Sequence, residues 1–490
     1  MVVAAVPAFR TEAFINGRFR PAESGERFTT ENPATGRPLA EITSGGSVDI
    51  DLAVRAARRA FDDGRWSKQS PADRKTVLLR FADLIEANLE ELAMLDTLEA
   101  GKPITNCRDV CLPDAVKTFR WFAEAIDKVF DAVAPTGPDA LGLIVREPIG
   151  VVGAVLPWNS PIVMAAWKAA PALAAGNSLI IKPARLTSLS MLRLAELAVE
   201  AGLPDGVLNV VPGPGETAGQ ALGRHPDVDA VSFTGSTEVG RQFLTYAAES
   251  NLKRIAVECG GKSPQIVFAD SPDLDVVAEQ VLLAGFASMG ENCSCGSRLI
   301  VHRSVHDGLM ERLVAGTAAW LVGDPLDPET KVGPMIEKTH LERVLSYIDA
   351  GRAEGARVVT GGERMLTETG GYFVAPTIFD DVRNSMKIAR EEIFGPVIST
   401  IPFDTEEEAI ALANDTRYGL AASLYTRDLN TAVRVARSIR AGTVSVNTYS
   451  EGDISTPFGG YKESGFGGRD KGLEAFDQYT EKKTIWFSLR

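Results

Sequence analysis

A thiol does chemistry when it is reachable and readily ionised, and of the five cysteines in this chain the run Gly290-Glu-Asn-Cys293-Ser-Cys295 holds the two best placed for it. The run follows a stretch with helical apolar spacing and lies at a glycine-broken turn, where a thiol is expected to be exposed with its pKa lowered by nearby N–H groups. Alone this is a weak signal, because cysteines are most often buried packing residues. The run Val257-Glu258-Cys-Gly-Gly-Lys-Ser-Pro264 sets a carboxylate at a strand end beside two glycines that leave room for a ligand. A solvated strand-end glutamate is its plain alternative. Gly213-Pro-Gly215-Glu-Thr-Ala218 fits a loose dinucleotide fingerprint, although an ordinary strand-to-helix turn explains it as well. Phe233-Thr-Gly-Ser236 is sharper: a strand ends there, and Ser236 can cap a helix whose free N–H groups face an anion or merely solvent. Gly261-Lys262-Ser263 is no P-loop, since Ala256 stands where that motif needs glycine.

The elements that must carry these residues are legible in the apolar spacing. From Asp49 to Ala100 the period is helical, with Gly101 and Pro103 as stops and a third helix expected around Asp114 to Val129. Short apolar runs then alternate with amphipathic segments: Val151–Leu156, Leu179–Ile181, Val207–Val211, Ala230–Phe233 and Ile255–Val257, with helices such as Pro161–Ala175 and Leu189–Ala201 between them. That alternation predicts a parallel α/β sheet. A second α/β series from Gln265 through Val358-Val359, Val397–Ile401 and Ser423–Tyr425 to Val444–Val446 predicts a second domain.

Composition narrows the chemistry. At 490 residues the chain exceeds one hydrophobic core and should enclose a cleft between domains. A formal net charge of -14 disfavours nucleic acid and anionic membrane as partners, leaving small-molecule chemistry. No basic leader and no apolar run of membrane-spanning length is found, so a cytoplasmic protein with free thiols is expected. Cys107 and Cys111 would share one helical face, but with only four histidines in the chain, none nearby, no metal site is expected.

Together these segments resemble the aldehyde dehydrogenase superfamily along nearly the whole chain. The resemblance rests on Pro157-Trp-Asn-Ser-Pro161, Ile181-Lys-Pro183, Phe233-Thr-Gly-Ser236, Glu258-Cys-Gly-Gly-Lys262, Gly290-Glu-Asn-Cys293, Glu392-Ile-Phe-Gly-Pro396 and Pro457-Phe-Gly-Gly-Tyr-Lys462. It implies that Cys293 is the nucleophile, that Asn159 and the Cys293 N–H stabilise the oxyanion of a thiohemiacetal, and that Glu258 is the base that hydrolyses the thioester. It implies NAD or NADP as cofactor. Lys182 and Gly215 would lie at the adenosine, Phe233, Gly235, Ser236 and Trp158 near the pyrophosphate, and Glu392 and Phe394 at the nicotinamide ribose and ring. One departure is Arg185, where the family often has a ribose-binding glutamate; without a carboxylate there, an arginine could pair with a 2′-phosphate.

The segments Asp453-Ile-Ser-Thr-Pro457 and Thr484-Ile-Trp-Phe-Ser-Leu look most like the γ-glutamyl-γ-aminobutyraldehyde dehydrogenase branch. The substrate is then a small aldehyde, with an aminoaldehyde suited to acids at Glu451 and Asp453. Ser160, Met164, Trp167, Cys295 and Phe458 would line its tunnel. The implied α/β fold has a Rossmann-like cofactor domain (1–125 and 149–258), a catalytic domain (259–458), and a β oligomerisation arm with the tail (126–148 and 459–490). The apolar end Ile485-Trp-Phe487 suits burial in a homo-oligomer, a tetramer or dimer. A CoA-acylating enzyme would generally lack Glu258, and a non-catalytic descendant would not need Cys293, Glu258 and Asn159 together.

Overall fold

The computed structural model describes residues 7–490; residues 1–6, assigned above to the cofactor domain, lie outside the described residues. Its first sheet has eight strands. The parallel centre runs, in space, Leu208–Val210, Ser178–Lys182, Val151–Val155, Ala230–Thr234, Arg254–Glu258. Both faces are covered, which is why these strands read as continuous apolar runs. Alternate residues serve the two faces: Val152 and Ala154 pack among the helices Pro71–Ala87, Leu112–Ala125 and Pro161–Ala175, while Val151 and Val155 join Ile50, Ala53 and Phe243 on the other side.

The second sheet has seven strands in the order Arg357–Thr360, Thr377–Asp380, Val397–Phe403, Arg298–His302, Pro264–Val267, Ala421–Tyr425, Thr443–Val446. Only its first pair is antiparallel. Arg298–His302 and Thr377–Asp380 escape the sequence reading. The former opens on an arginine that is nevertheless fully buried, its guanidinium donating to the carbonyls of Leu412 and Ala413. A third, antiparallel sheet joins Ala132–Ala134, Ala140–Pro148 and Thr480–Ser488, leaving Trp486 and Phe487 exposed.

Two expectations shift. The helix placed at Asp114 begins at Leu112, directly after a π-helical turn at Cys107–Cys111, and ends at Ala125. Residues from 459 onward do not all follow the arm: Gly465–Phe466 adds an edge strand to the first sheet beside Arg254–Glu258, and Phe476 and Tyr479 enter the core beneath it.

Candidate active site

The chemistry-bearing segments converge where the strands Val151–Val155, Ala230–Thr234 and Arg254–Glu258 reach their carboxyl ends, the usual ligand position on an open parallel sheet. They surround a cavity of about 840 Å³. Cys293 reaches it from a turn in which Ser288, Met289 and Gly290 have φ of 51°, 60° and 67°. A side chain at Gly290 would strike the Gly395 carbonyl, and one at Gly261 would strike the carbonyl of Cys293. The loop that carries Cys293 therefore rests on bare backbone at two points.

The expected depression of the Cys293 pKa is not found. Burial pushes this thiol well up, the carboxylates of Glu451, Glu392 and Glu258 add to the effect, and the Ser294 N–H opposes it weakly. Asn159 lies on the same cavity and donates its side-chain amide to the Glu291 carbonyl at 2.8 Å. Behind it the buried Lys102 ammonium donates to the Asn159 carbonyl (3.1 Å) and to Ser160 Oγ (2.9 Å). Lys102 was not anticipated, since a lysine between Gly101 and Pro103 reads as a helix end.

Glu258 is buried rather than solvated, with only 7% of its surface exposed. Its carboxyl accepts a hydrogen bond from the Gly460 N–H at 3.2 Å and faces that backbone instead of lining the cavity. Burial holds its pKa well above the ordinary range, and the nearby Asp470 raises it further against Lys168 and Arg469. Lys168 and Asp470 form a buried ion pair at 3.1 Å, and Lys168 also donates to Ser232 Oγ at 3.0 Å. Neither residue was singled out in the sequence, although a lone lysine inside the apolar helix Pro161–Ala175 is an anomaly that asks for a partner.

On the cofactor side, Ser236 caps the helix Thr237–Ala248, its Oγ accepting from the Val239 N–H at 3.3 Å. Thr234, Gly235 and Ser236 line the cavity, and the buried Thr234 hydroxyl has no partner among the described residues. Trp158 packs edge-on against Phe394 (5.2 Å) and His340 (5.3 Å). His340, unforeseen, meets the Phe394 carbonyl at 2.7 Å through Nε2, which must carry the proton; burial lowers its pKa to about 4 and keeps the ring neutral. Glu392 accepts from the Gly261 N–H at 2.9 Å, with its pKa raised to about 7 by burial. A capped helix start, an orphaned hydroxyl and the Glu392 carboxyl on the cavity wall suit a dinucleotide's phosphates and ribose.

Lys182 is buried, donates to the Pro183 carbonyl at 2.8 Å, and has its pKa lowered to about 8 by desolvation while Glu216 opposes the shift. Glu216 corrects the expectation of a carboxylate-free ribose site. It comes from the turn Gly215–Gly219, where a Cβ on Gly215 would meet open space. Arg185 is exposed and makes no ion pair among the described residues. The Phe233 ring lies in the core against Phe243 at 5.0 Å rather than on the cavity.

At the substrate end, Ser160, Met164, Trp167, Phe458 and Glu451 line the cavity as expected. Trp167 meets Phe458 edge-on at 5.2 Å, the Lys471 ammonium lies over both rings, and Trp167 Nε1 donates to Asp114 at 3.0 Å. Glu451 accepts from Ser294 Oγ and from Asn292 Nδ2 (3.2 Å), the two residues flanking Cys293. Two expected wall residues lie elsewhere. Cys295 is buried facing the Gly285 carbonyl at 3.6 Å, its pKa pushed to about 12 by burial, because the turn after Cys293 directs it into the core. Asp453 is held outside the lining by an ion pair with Lys117, which depresses its pKa.

Comparison with known proteins agrees with this geometry. The model of the Aldehyde dehydrogenase family matches residues 19–485. The chain is 56% identical to an aminoacetaldehyde dehydrogenase of Pseudomonas aeruginosa over 99% of its own length and 97% of that protein. It is 50% identical to the NADP/NAD-dependent aldehyde dehydrogenase PuuC of Escherichia coli, covering 98% and 96% of the two chains. Among solved structures, the γ-glutamyl-γ-aminobutyraldehyde dehydrogenase of Burkholderia cenocepacia superposes with a TM-score of 0.98 at 53% identity, over 99% of this chain and 98% of that one. An indole-3-acetaldehyde dehydrogenase in complex with NAD+ superposes equally well at 52% identity, covering 99% and 97% of the two chains. With the thiol, the amide and the buried carboxyl gathered at the carboxyl end of the first sheet, this protein belongs to the aldehyde dehydrogenase family and is an NAD(P)-dependent oxidoreductase of aldehydes.

Proposed function

We propose that Cys293 attacks the aldehyde carbon, with the Asn159 amide and the Cys293 N–H holding the resulting oxyanion. The carrying observation is that Asn159 and Cys293 face one cavity while Asn159 is already tied to the nucleophile's loop through Glu291. When bound, the nicotinamide accepts the hydride. Glu258, whose buried carboxyl accepts from the Gly460 N–H and whose charge is felt at Cys293, turns from Gly460 toward the thioester and deprotonates the attacking water. Ser236, Trp158, Glu392 and Phe394 hold the dinucleotide, with Lys182, Gly215 and Arg185 at its adenosine end. Gly235 lines the approach, and Phe233 supports it from below.

The substrate is a small aldehyde carrying an amino group. Glu451 brings a carboxyl to the cavity beside the loop of Cys293 and Asp114 brings another, while Lys102 is engaged by Asn159 and Ser160 and Lys471 lies over the Trp167 and Phe458 rings, so a substrate cation would meet Glu451. The apolar walls Met164, Trp167 and Phe458 favour instead a neutral aromatic aldehyde, the second reading. Comparing kcat/KM for an ω-aminoaldehyde and a neutral aldehyde of equal length, by absorbance of the reduced nicotinamide, separates the two. The amino reading expects the charged substrate to win and Glu451→Gln to erase its advantage; preference for the neutral one overturns it.

The working enzyme is a cytoplasmic homo-oligomer. The sheet containing Thr480–Ser488 supports this, because Trp486 and Phe487 stand in solvent in a single chain. The two large sheets serve as cofactor and catalytic domains, divided near residue 258, and the three-stranded sheet as the oligomerisation arm.

A further inference from the structure

Besides Cys293, the thiols of Cys259 and Cys111 border the aldehyde cavity, and Cys111 reaches it from the end of the π-helical turn Cys107–Cys111. Its partner Cys107 is fully buried four residues earlier on the same turn, a spacing that puts both side chains on one side of the helix. Lys102 lines the same cavity as Cys111. We propose that Cys107 and Cys111 form an oxidisable dithiol, in which a hydroperoxide entering the cavity is reduced at Cys111 and Cys107 closes a disulfide onto it.

The chemistry balances in two steps. The Cys111 thiolate attacks the distal peroxide oxygen and the O–O bond breaks, giving a sulfenic acid and water or an alcohol; the Cys107 sulfur then displaces hydroxide, forming the S–S bond and a second water. Two thiols lose two electrons and two protons, and the peroxide gains them. The environment divides the roles. Cys111 lines the cavity together with Lys102, whereas Cys107 is fully buried and does not reach it. The thiolate that attacks is thus the one with access to the cavity.

The site is wired to the catalytic machinery at two points. Cys111 Sγ contacts Asn106 Oδ1 at 3.5 Å, and the same oxygen accepts from Ser288 Oγ at 3.4 Å, in the left-handed turn that leads to Cys293. Lys102 carries the other link, to the Asn159 carbonyl. Residues four apart on a helix have Cβ atoms about 5–6 Å apart, while a disulfide spans about 3.5–4.5 Å. Closing the bond must therefore pull the π-turn inward, at the kind of single-turn bulge that recurs at functional sites.

The test uses the full-length Cys293→Ala variant, so that the nucleophile cannot be the thiol consumed. It is treated with hydrogen peroxide, the remaining thiols are alkylated, and the digest is mapped by mass. Trypsin cuts after Arg108, between the two cysteines, so a disulfide holds the fragments Phe81–Arg108 and Asp109–Lys117 together. That linked pair is expected, released by dithiothreitol, and absent when Cys107→Ser is added. In the latter variant Cys111 should stop at a sulfenic acid that a 1,3-dione traps. Both thiols still alkylatable after peroxide, or Cys111 oxidised beyond sulfenic acid with no linked pair, would overturn the proposal.

Discussion

Asn159 donates its side-chain amide to the carbonyl of Glu291, two residues before Cys293, at 2.8 Å. An amide nitrogen has two hydrogens, so one fixes the loop while the other remains for the cavity. Asn159→Ala should lower kcat by about a hundredfold or more, the scale of losing one oxyanion donor. Steady-state kinetics decide it: a change confined to KM would make Asn159 a substrate-positioning group only.

The two neighbouring thiols should part company on mutation. Cys293→Ala is expected to lose aldehyde oxidation while still binding cofactor by calorimetry, because the covalent intermediate vanishes and the nucleotide pocket does not. Cys295→Ala, which alters a core position facing Gly285, should keep the chemical step. The reverse pattern would mean that the wrong sulfur has been assigned.

Glu258→Gln should still release a burst of reduced cofactor in stopped flow and then turn over slowly, since thioester hydrolysis loses its base. The wild type carries a pH signature as well. Its carboxyl pKa lies well above 4.5 through burial, and only the ionised form is a base, so the hydrolytic rate should rise with pH through that raised value. A limb remaining near pH 4.5 would contradict the burial described above.

Cofactor choice rests on Arg185 against Glu216. Arg185→Glu should lower the NADP to NAD ratio of kcat/KM by about tenfold, or about 1.4 kcal/mol. Glu216→Gln should raise it, because a carboxylate near Lys182 repels a 2′-phosphate. Ratios unmoved by both changes would show that neither side chain sees the ribose.

Asp470→Asn would leave the Lys168 ammonium buried without its counter-charge, a loss of about 3–5 kcal/mol for such a pair. Urea denaturation of the full chain should register it. The same change removes a negative charge that raises the Glu258 pKa, so the acid limb of the pH profile should move down. An unchanged midpoint would argue against the pair's burial.

Local pattern carried much of this. Pro161–Ala175 has the same bounds in sequence and structure, and the five strands of the first sheet's parallel centre all read as apolar runs, because each is buried on both faces. Partners far apart in the chain were not legible: Lys168 and Asp470 are 302 residues apart, Glu258 and Gly460 are 202 apart. The thiol's pKa was misjudged for the same reason. Its turn was visible, but its burial was not, and the carboxylates that add to the shift arrive from positions 451, 392 and 258. Thr377–Asp380 and Gly465–Phe466 were too short to show a period.

The late edge strand Gly465–Phe466 sets an order of events during biosynthesis. The strand bearing Glu258 is made when barely half the chain exists, yet its last neighbour, pairing Gly465 with Glu258 and Phe466 with Val257, is made more than two hundred residues later. Domains on a ribosome tend to fold from the N-terminus. Here the first sheet must wait with an open edge beside Glu258 until Gly465 and Phe466 have been made. A nascent chain that has not reached these residues can close neither the edge beside Glu258 nor the core that Phe476 and Tyr479 complete, and a product clipped ahead of Gly465 would lack both.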